Sequence, residues 1–173
     1  MKIKSLLICF FLLGSLTVAN AQAEDTSALL QKAYKQAKKE NKKVFVMFHA
    51  SWCSWCKKME KNMQAETTKK LFDDNYVFVF LTVQERPENK GLENPGAAAL
   101  LEKYKADKQG IPFWVILDTK GKELANAFNK KGENLGCPAT PEEVAEFTAK
   151  LKKTSKLKEK DLAAIAEVFT IKK

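Results

Sequence analysis

The stretch Ala50-Ser51-Trp52-Cys53-Ser54-Trp55-Cys56-Lys57 carries the residue types best suited to chemistry. Two cysteines three residues apart, where an apolar run gives way to a helical pattern, are spaced to make and break one disulfide. At i and i+3 on a helix's first turn their side chains share a face and come within bonding reach. Cys53 falls where unpaired backbone N–H groups and the positive end of the helix dipole converge. That setting favours thiolate, lowering the pKa from about 8.5 for a free cysteine. Lys57 and Lys58 add positive charge close by. Cys53 is therefore expected to be the nucleophile, and Cys56, one turn in and less exposed, the resolving thiol. Trp52 and Trp55 offer apolar surface on either side for an unfolded or peptide substrate. Two other readings stay open. One is a purely structural disulfide. The other is a zinc site drawing on Cys53, Cys56, Cys137 and the only histidine, His49. Structural zinc sites use two short paired motifs and only one pair is present, so no metal is expected.

The elements that must position this pair are legible on both sides of it. An apolar run at 44–48 has no alternation and reads as a strand buried on both faces, as in a parallel or mixed sheet. Before it, Thr26 is a plausible N-cap for a helix to about residue 40, with Leu29, Leu30, Ala33 and Ala37 as its apolar stripe. The helix from Cys53 carries Met59 and Met63 at i, i+4, a core spacing, and a second helical piece spans 67–74. Residues 76–83 are dense in β-branched and aromatic side chains, a strand. Residues 84–93 are polar, contain Pro87 and Gly91, and read as a loop. A helix over 97–104 presents Leu100, Leu101 and Tyr104 to the core. Strands at 113–117 and 123–128 form a hairpin around Asp118-Thr119-Lys120-Gly121. A loop holding Cys137 leads to Thr140-Pro141-Glu142-Glu143, a strong helix start whose helix runs to about residue 152. Beyond it, Leu162, Ile165, Ala166 and Phe169 are spaced for one more helix.

Trp-Cys-x-x-Cys-Lys after an apolar strand resembles the active site of the thioredoxin superfamily. Gly110-Ile111-Pro112-Phe113 resembles its cis-proline loop, and Asn94-Pro95-Gly96 stands ahead of the helix leading there. The resemblance covers about residues 26–152, with 155–173 as a C-terminal extension. The resemblance extends to secreted bacterial thioredoxin-like proteins with Trp-Cys-x-Trp-Cys sites, including periplasmic disulfide-interchange domains. It implies an α/β thioredoxin-like fold: a central mixed sheet flanked by helices, with an extra C-terminal helix. It further implies a protein-disulfide oxidoreductase working in the reductive or interchange direction on exported proteins. Disulfide isomerase and a non-catalytic binding module with an inert disulfide are the alternatives. No cofactor is required, but a redox protein must donate or accept the electrons. Ile111 and Pro112 join the expected substrate site by the same resemblance, Pro112 as a cis residue against the disulfide. The chain also departs from the family. Met47 stands where thioredoxins bury an aspartate, six residues before the first cysteine. His49 is either a proton relay or a polar residue at a strand end. Glu85 is the best remaining candidate for a buried acid near Cys56.

With 173 residues the chain is long enough to bury a core without disulfide support, and one domain over 24–173 is expected. The first 23 residues read as a cleaved secretory leader. Lys2 and Lys4 open it, an apolar run follows, and Ala19-Asn20-Ala21 or Ala21-Gln22-Ala23 fits small-residue cleavage. An uncleaved anchor is the competing reading. Lipidation of Cys9 is not expected, because no small residue precedes it. Export would place the protein in the periplasm or outside the cell, with no stable membrane insertion after cleavage and three cysteines left in an oxidising compartment. Cys137 is then the odd thiol, expected to be buried and inert, with a disulfide to another chain or a third redox thiol near Cys53 as the alternative. The formal charge of +9 is spread along the chain, which favours solvated helix faces over a nucleic-acid surface. A monomer is expected.

Overall fold

A computed structural model describes residues 23–171. The expected leader, Ala23 apart, lies outside these residues. Helix α1 (Thr26–Glu40) leads into strand β1 (Lys43–His49), then α2 (Ser54–Met63), α3 (Glu66–Asp73) and β2 (Tyr76–Thr82). Next come α4 (Ala97–Lys103), the hairpin β3 (Phe113–Leu117) and β4 (Glu123–Asn126), and the helices α5 (Pro141–Thr154) and α6 (Glu159–Phe169). The sheet order is β2-β1-β3-β4, with β1 parallel to β2 and antiparallel to β3. This is a mixed sheet flanked by helices, the thioredoxin-like arrangement. Val46 stands opposite both Val79 and Val115, so β1 is the central strand and the cysteines follow directly from its end. Its five residues from Val44 to Phe48 are all buried, which explains why an unbroken apolar run encodes it.

Local chemistry sets the ends of these elements. The cap of α1 is Asp25 rather than Thr26: the Asp25 carboxylate accepts from the N–H groups of Ser27 and Ala28. Thr26 is displaced into the first turn, buried, with its N–H bonded to the Pro95 carbonyl. Asn41 ends α1 in the left-handed region at φ 53°, which asparagine tolerates. Thr140 and Glu143 form the expected capping box at α5. The polar segment after β2 is not all loop, because Pro87–Leu92 winds into a 3-10 turn. Strand β4 stops at Asn126, and Phe128 makes only an isolated bridge with Asn134.

The C-terminal extension belongs to the core. Leu162, Ile165 and Phe169 of α6 are buried. The Phe169 ring lies 5.1 Å from that of Phe147 on α5 and 6.2 Å from that of Phe72 on α3. Trp114 on β3 meets Phe147 at 5.2 Å and Phe45 on β1 at 5.7 Å. One aromatic cluster thus joins the sheet's central strand to the last helix. Among the described residues no helix is long and apolar enough to cross a membrane.

Candidate active site

Helix α2 begins at the cysteines because the chain leaves β1 through a tight turn. The Cys53 N–H donates to the Ala50 carbonyl at 3.1 Å, and Cys53 takes the N-cap position with extended backbone. Its sulfur accepts the Cys56 N–H at 3.1 Å, one of the otherwise orphaned donors of the helix start. Cys53 and Cys56 are joined as a disulfide with Cα atoms 5.3 Å apart. The expected order of exposure holds within a small range. Cys53 is 3% exposed and Cys56 fully buried, so the first sulfur sits just at the surface rather than out in solvent.

The Ile111–Pro112 peptide bond is cis, and the Ile111 carbonyl oxygen lies 3.6 Å from the Cys53 sulfur. A groove of about 430 Å³ opens beside this contact, walled by Trp55, Ile111, Pro112, Asn134, Gly136 and Cys137 among others. Trp55 is 50% exposed along it. Trp52 is 44% exposed but lies on the other flank, its indole N–H held by the Gln84 carbonyl at 2.8 Å. The two tryptophans therefore serve different sides of the disulfide.

Asn134 holds the proline loop, a role with no local sequence signal. Its amide nitrogen lies 3.2, 3.0 and 3.1 Å from the carbonyl oxygens of Gln109, Gly110 and Pro112. Its own oxygen accepts the Gly136 N–H at 2.9 Å. Gly136 adopts φ +55°, and a side chain there would approach the Pro112 carbonyl at 3.8 Å. The Trp114 indole N–H ties the same loop to the sheet through the Gly136 carbonyl.

Cys137 is free and buried beside this groove. Burial pushes its thiol up to about 11, with Lys58 opposing and Glu143 adding to the rise. His49 points to α2. Its ring nitrogens meet Glu60 Oε1 at 3.2 Å and Thr82 Oγ1 at 3.3 Å. Glu85 is buried, 4% exposed, and both its oxygens accept from Ser51. The hydrogen bonds of His49 and Glu85 thus go to Glu60, Thr82 and Ser51, and not to a cysteine sulfur. Among the described residues no group of three or more His, Cys, Asp or Glu side chains is placed to hold a metal ion.

A family model described as thioredoxin-like matches residues 25–119. The chain is 39% identical over 59 residues to spermatogenesis-associated protein 20 of Mus musculus and 41% identical over 59 residues to that of Rattus norvegicus. Each match covers 34% of this chain but only 8% of the relative's length. Among solved structures, a disulphide isomerase from Xylella fastidiosa Temecula1 superposes with a TM-score of 0.50 at 20% identity, covering 65% of this chain and 80% of that one. That likeness is one of fold.

Proposed function

The chain belongs to the thioredoxin-like family, and from that premise we propose that it is a thiol:disulfide oxidoreductase acting on protein or peptide disulfides. The observation that carries this reading is the Cys53–Cys56 disulfide at the start of α2, its outer sulfur against the Ile111 carbonyl and beside an open groove. In the reduced protein the Cys53 thiolate attacks a substrate disulfide. A mixed disulfide forms and the substrate's other sulfur leaves as a thiolate. The Cys56 thiolate then attacks the Cys53 sulfur, the second substrate thiolate departs, and the pair is left oxidised. Two electrons have passed to the substrate, and a separate redox protein returns them. Trp55, Ile111 and Pro112 line the groove that receives the peptide, while Trp52 bounds the opposite side.

The basic start and apolar run of the first residues support export, and on that basis the protein works in the periplasm or outside the cell. Cell fractionation with intact mass tests this: leaderless protein outside the cytoplasm is expected, and full-length protein in the cytoplasm would overturn it. The activity itself is tested by insulin reduction with dithiothreitol as donor. Catalysis by the parent protein, lost in Cys53→Ser, is the expected result. An equal background rate for both would leave an inert disulfide as the better reading.

A further inference from the structure

Deepening the thiol–disulfide reading above, we propose that Glu85 is a positioning residue for Cys53, its buried carboxylate clasping the turn that delivers the nucleophile to the start of α2. Three observations converge on it. First, Glu85 is 4% exposed and, among the described residues, has no Lys, Arg or His ion-pair partner. Burying a carboxylate without a cation is unfavourable unless hydrogen bonds satisfy it. Second, both oxygens go to one residue: Oε1 accepts the Ser51 N–H, and Oε2 accepts the Ser51 hydroxyl at 2.7 Å. Third, the neighbouring residue ties down the next position of the same turn, because the Gln84 carbonyl accepts the Trp52 indole N–H.

Ser51 and Trp52 are the two central residues of the turn closed by Cys53 N–H and the Ala50 carbonyl. Both are fastened to consecutive residues at the exit of β2. The geometry continues the sheet beyond its strands. The last main-chain rung joins Val83 N–H to the His49 carbonyl, and two residues on Glu85 meets Ser51, with the carboxylate taking the place of a backbone acceptor. Gln84 holds the intervening position at φ +54°, with its side-chain amide bonded to the Asp107 carbonyl. The Glu85 N–H is held by Glu93 at 2.7 Å. Glu85 is thus braced from behind while it grips the turn. Cys53 follows two residues after Ser51, and its sulfur must meet both the Cys56 N–H and the Ile111 carbonyl. Freeing Ser51 lets that sulfur drift from both.

The test compares Glu85→Ala, Glu85→Gln and Ser51→Ala in the full-length reduced protein. The rate of Cys53 alkylation by iodoacetamide is mapped by peptide mass spectrometry from pH 5 to 9, alongside the equilibrium with glutathione and thermal unfolding. Glutamine keeps an oxygen for the Ser51 N–H, and its amide can donate to the hydroxyl, so Glu85→Gln should stay within about threefold of the parent. Glu85→Ala should slow Cys53 at pH 7 by about tenfold, with Ser51→Ala intermediate and the double variant no slower than Glu85→Ala alone. Should Glu85→Ala fail to fold, Ser51→Ala carries the same comparison. A lowered unfolding temperature with an unchanged Cys53 profile would make Glu85 merely a structural acid and overturn the proposal. Equal slowing by glutamine and alanine would also overturn it, in favour of a charge effect. These readouts need no protein substrate. Failure of insulin reduction by the parent would therefore sink the proposed function and leave the clasp standing.

Discussion

The sulfur of Cys53 lies 3.6 Å from the carbonyl oxygen of Ile111. The outer sulfur and the backbone that borders the groove therefore meet at one point, and on the proposed function a substrate disulfide laid along residues 110–112 would reach Cys53 before Cys56. Cys56 is fully buried behind it, and this difference in exposure is the basis for the proposed division between nucleophile and resolving thiol.

Replacing Cys53 by serine is expected to bring insulin reduction to the background rate. Cys56→Ser should instead leave the first attack intact and accumulate mixed disulfides with substrate proteins, visible on non-reducing gels and released by dithiothreitol. Equal alkylation rates for the two thiols in the reduced parent would contradict this division.

Asn134→Ala removes the amide that spans the carbonyls of Gln109, Gly110 and Pro112. A loss of about 1–3 kcal/mol in urea unfolding is expected. The kinetic signature should be a raised KM for insulin with kcat little changed, because the amide shapes the groove and touches no reacting atom. Asn134→Asp should be worse, since it sets a carboxylate against three carbonyl oxygens.

Cys137 should resist iodoacetamide in the native protein at pH 7–8 and react increasingly as the pH climbs towards about 11, the value to which burial raises it. The folded state holds this proton more tightly than the unfolded chain does. Its contribution to stability is therefore complete below the ordinary thiol value of 9.0 and is lost as the pH rises through about 11. Rapid labelling at pH 7, or a disulfide-linked dimer absent from Cys137→Ser, would show that the thiol is reachable.

Phe169→Ala should destabilise the protein by about 3–5 kcal/mol in equilibrium unfolding. The ring is 1% exposed and packs against Phe72 and Phe147. A change within about 0.5 kcal/mol, the usual range for surface substitutions, would remove α6 from the core.

Much of this architecture is readable from short stretches. The unbroken apolar run of β1, the switch to helical spacing in α2 and the Thr140 start of α5 each carry their signal within a few residues. Cys53 and Cys56 are legible from their spacing at the strand-to-helix junction, whereas Pro112 comes with the family resemblance. The spacing of Phe169 places it on a helix, but spacing alone does not reveal that its ring completes a cluster with Phe72 and Phe147. Other parts have no local signature. Ser51 and Glu85 lie 34 positions apart, and Asn134 and Pro112 lie 22 apart. A polar side chain that satisfies a distant backbone group looks, in the sequence, like any other polar residue. Glu85 is marked in the sequence as an acid just past an apolar strand, but its partner Ser51 meets it only in three dimensions. Asp25 shows the same limit at close range: adjacent Asp and Thr residues both suit a helix cap, and the contact of Thr26 with Pro95 decides between them.

The complete burial of Cys56 behind Cys53 also carries an expectation for how the reduced protein should meet peroxide. A small oxidant encounters the outer sulfur first and converts it to a sulfenic acid, with one oxygen gained and water released. The neighbouring Cys56 thiol then condenses with it, expelling a second water and closing the disulfide before further oxygen can add. Irreversible sulfinic and sulfonic acids are thereby avoided at both positions, provided the inner thiol is present. Peroxide-treated parent protein should be lighter by two hydrogen atoms, whereas Cys56→Ser should grow heavier by whole oxygens at Cys53. The arrangement proposed to order thiol exchange would then also guard the site against over-oxidation.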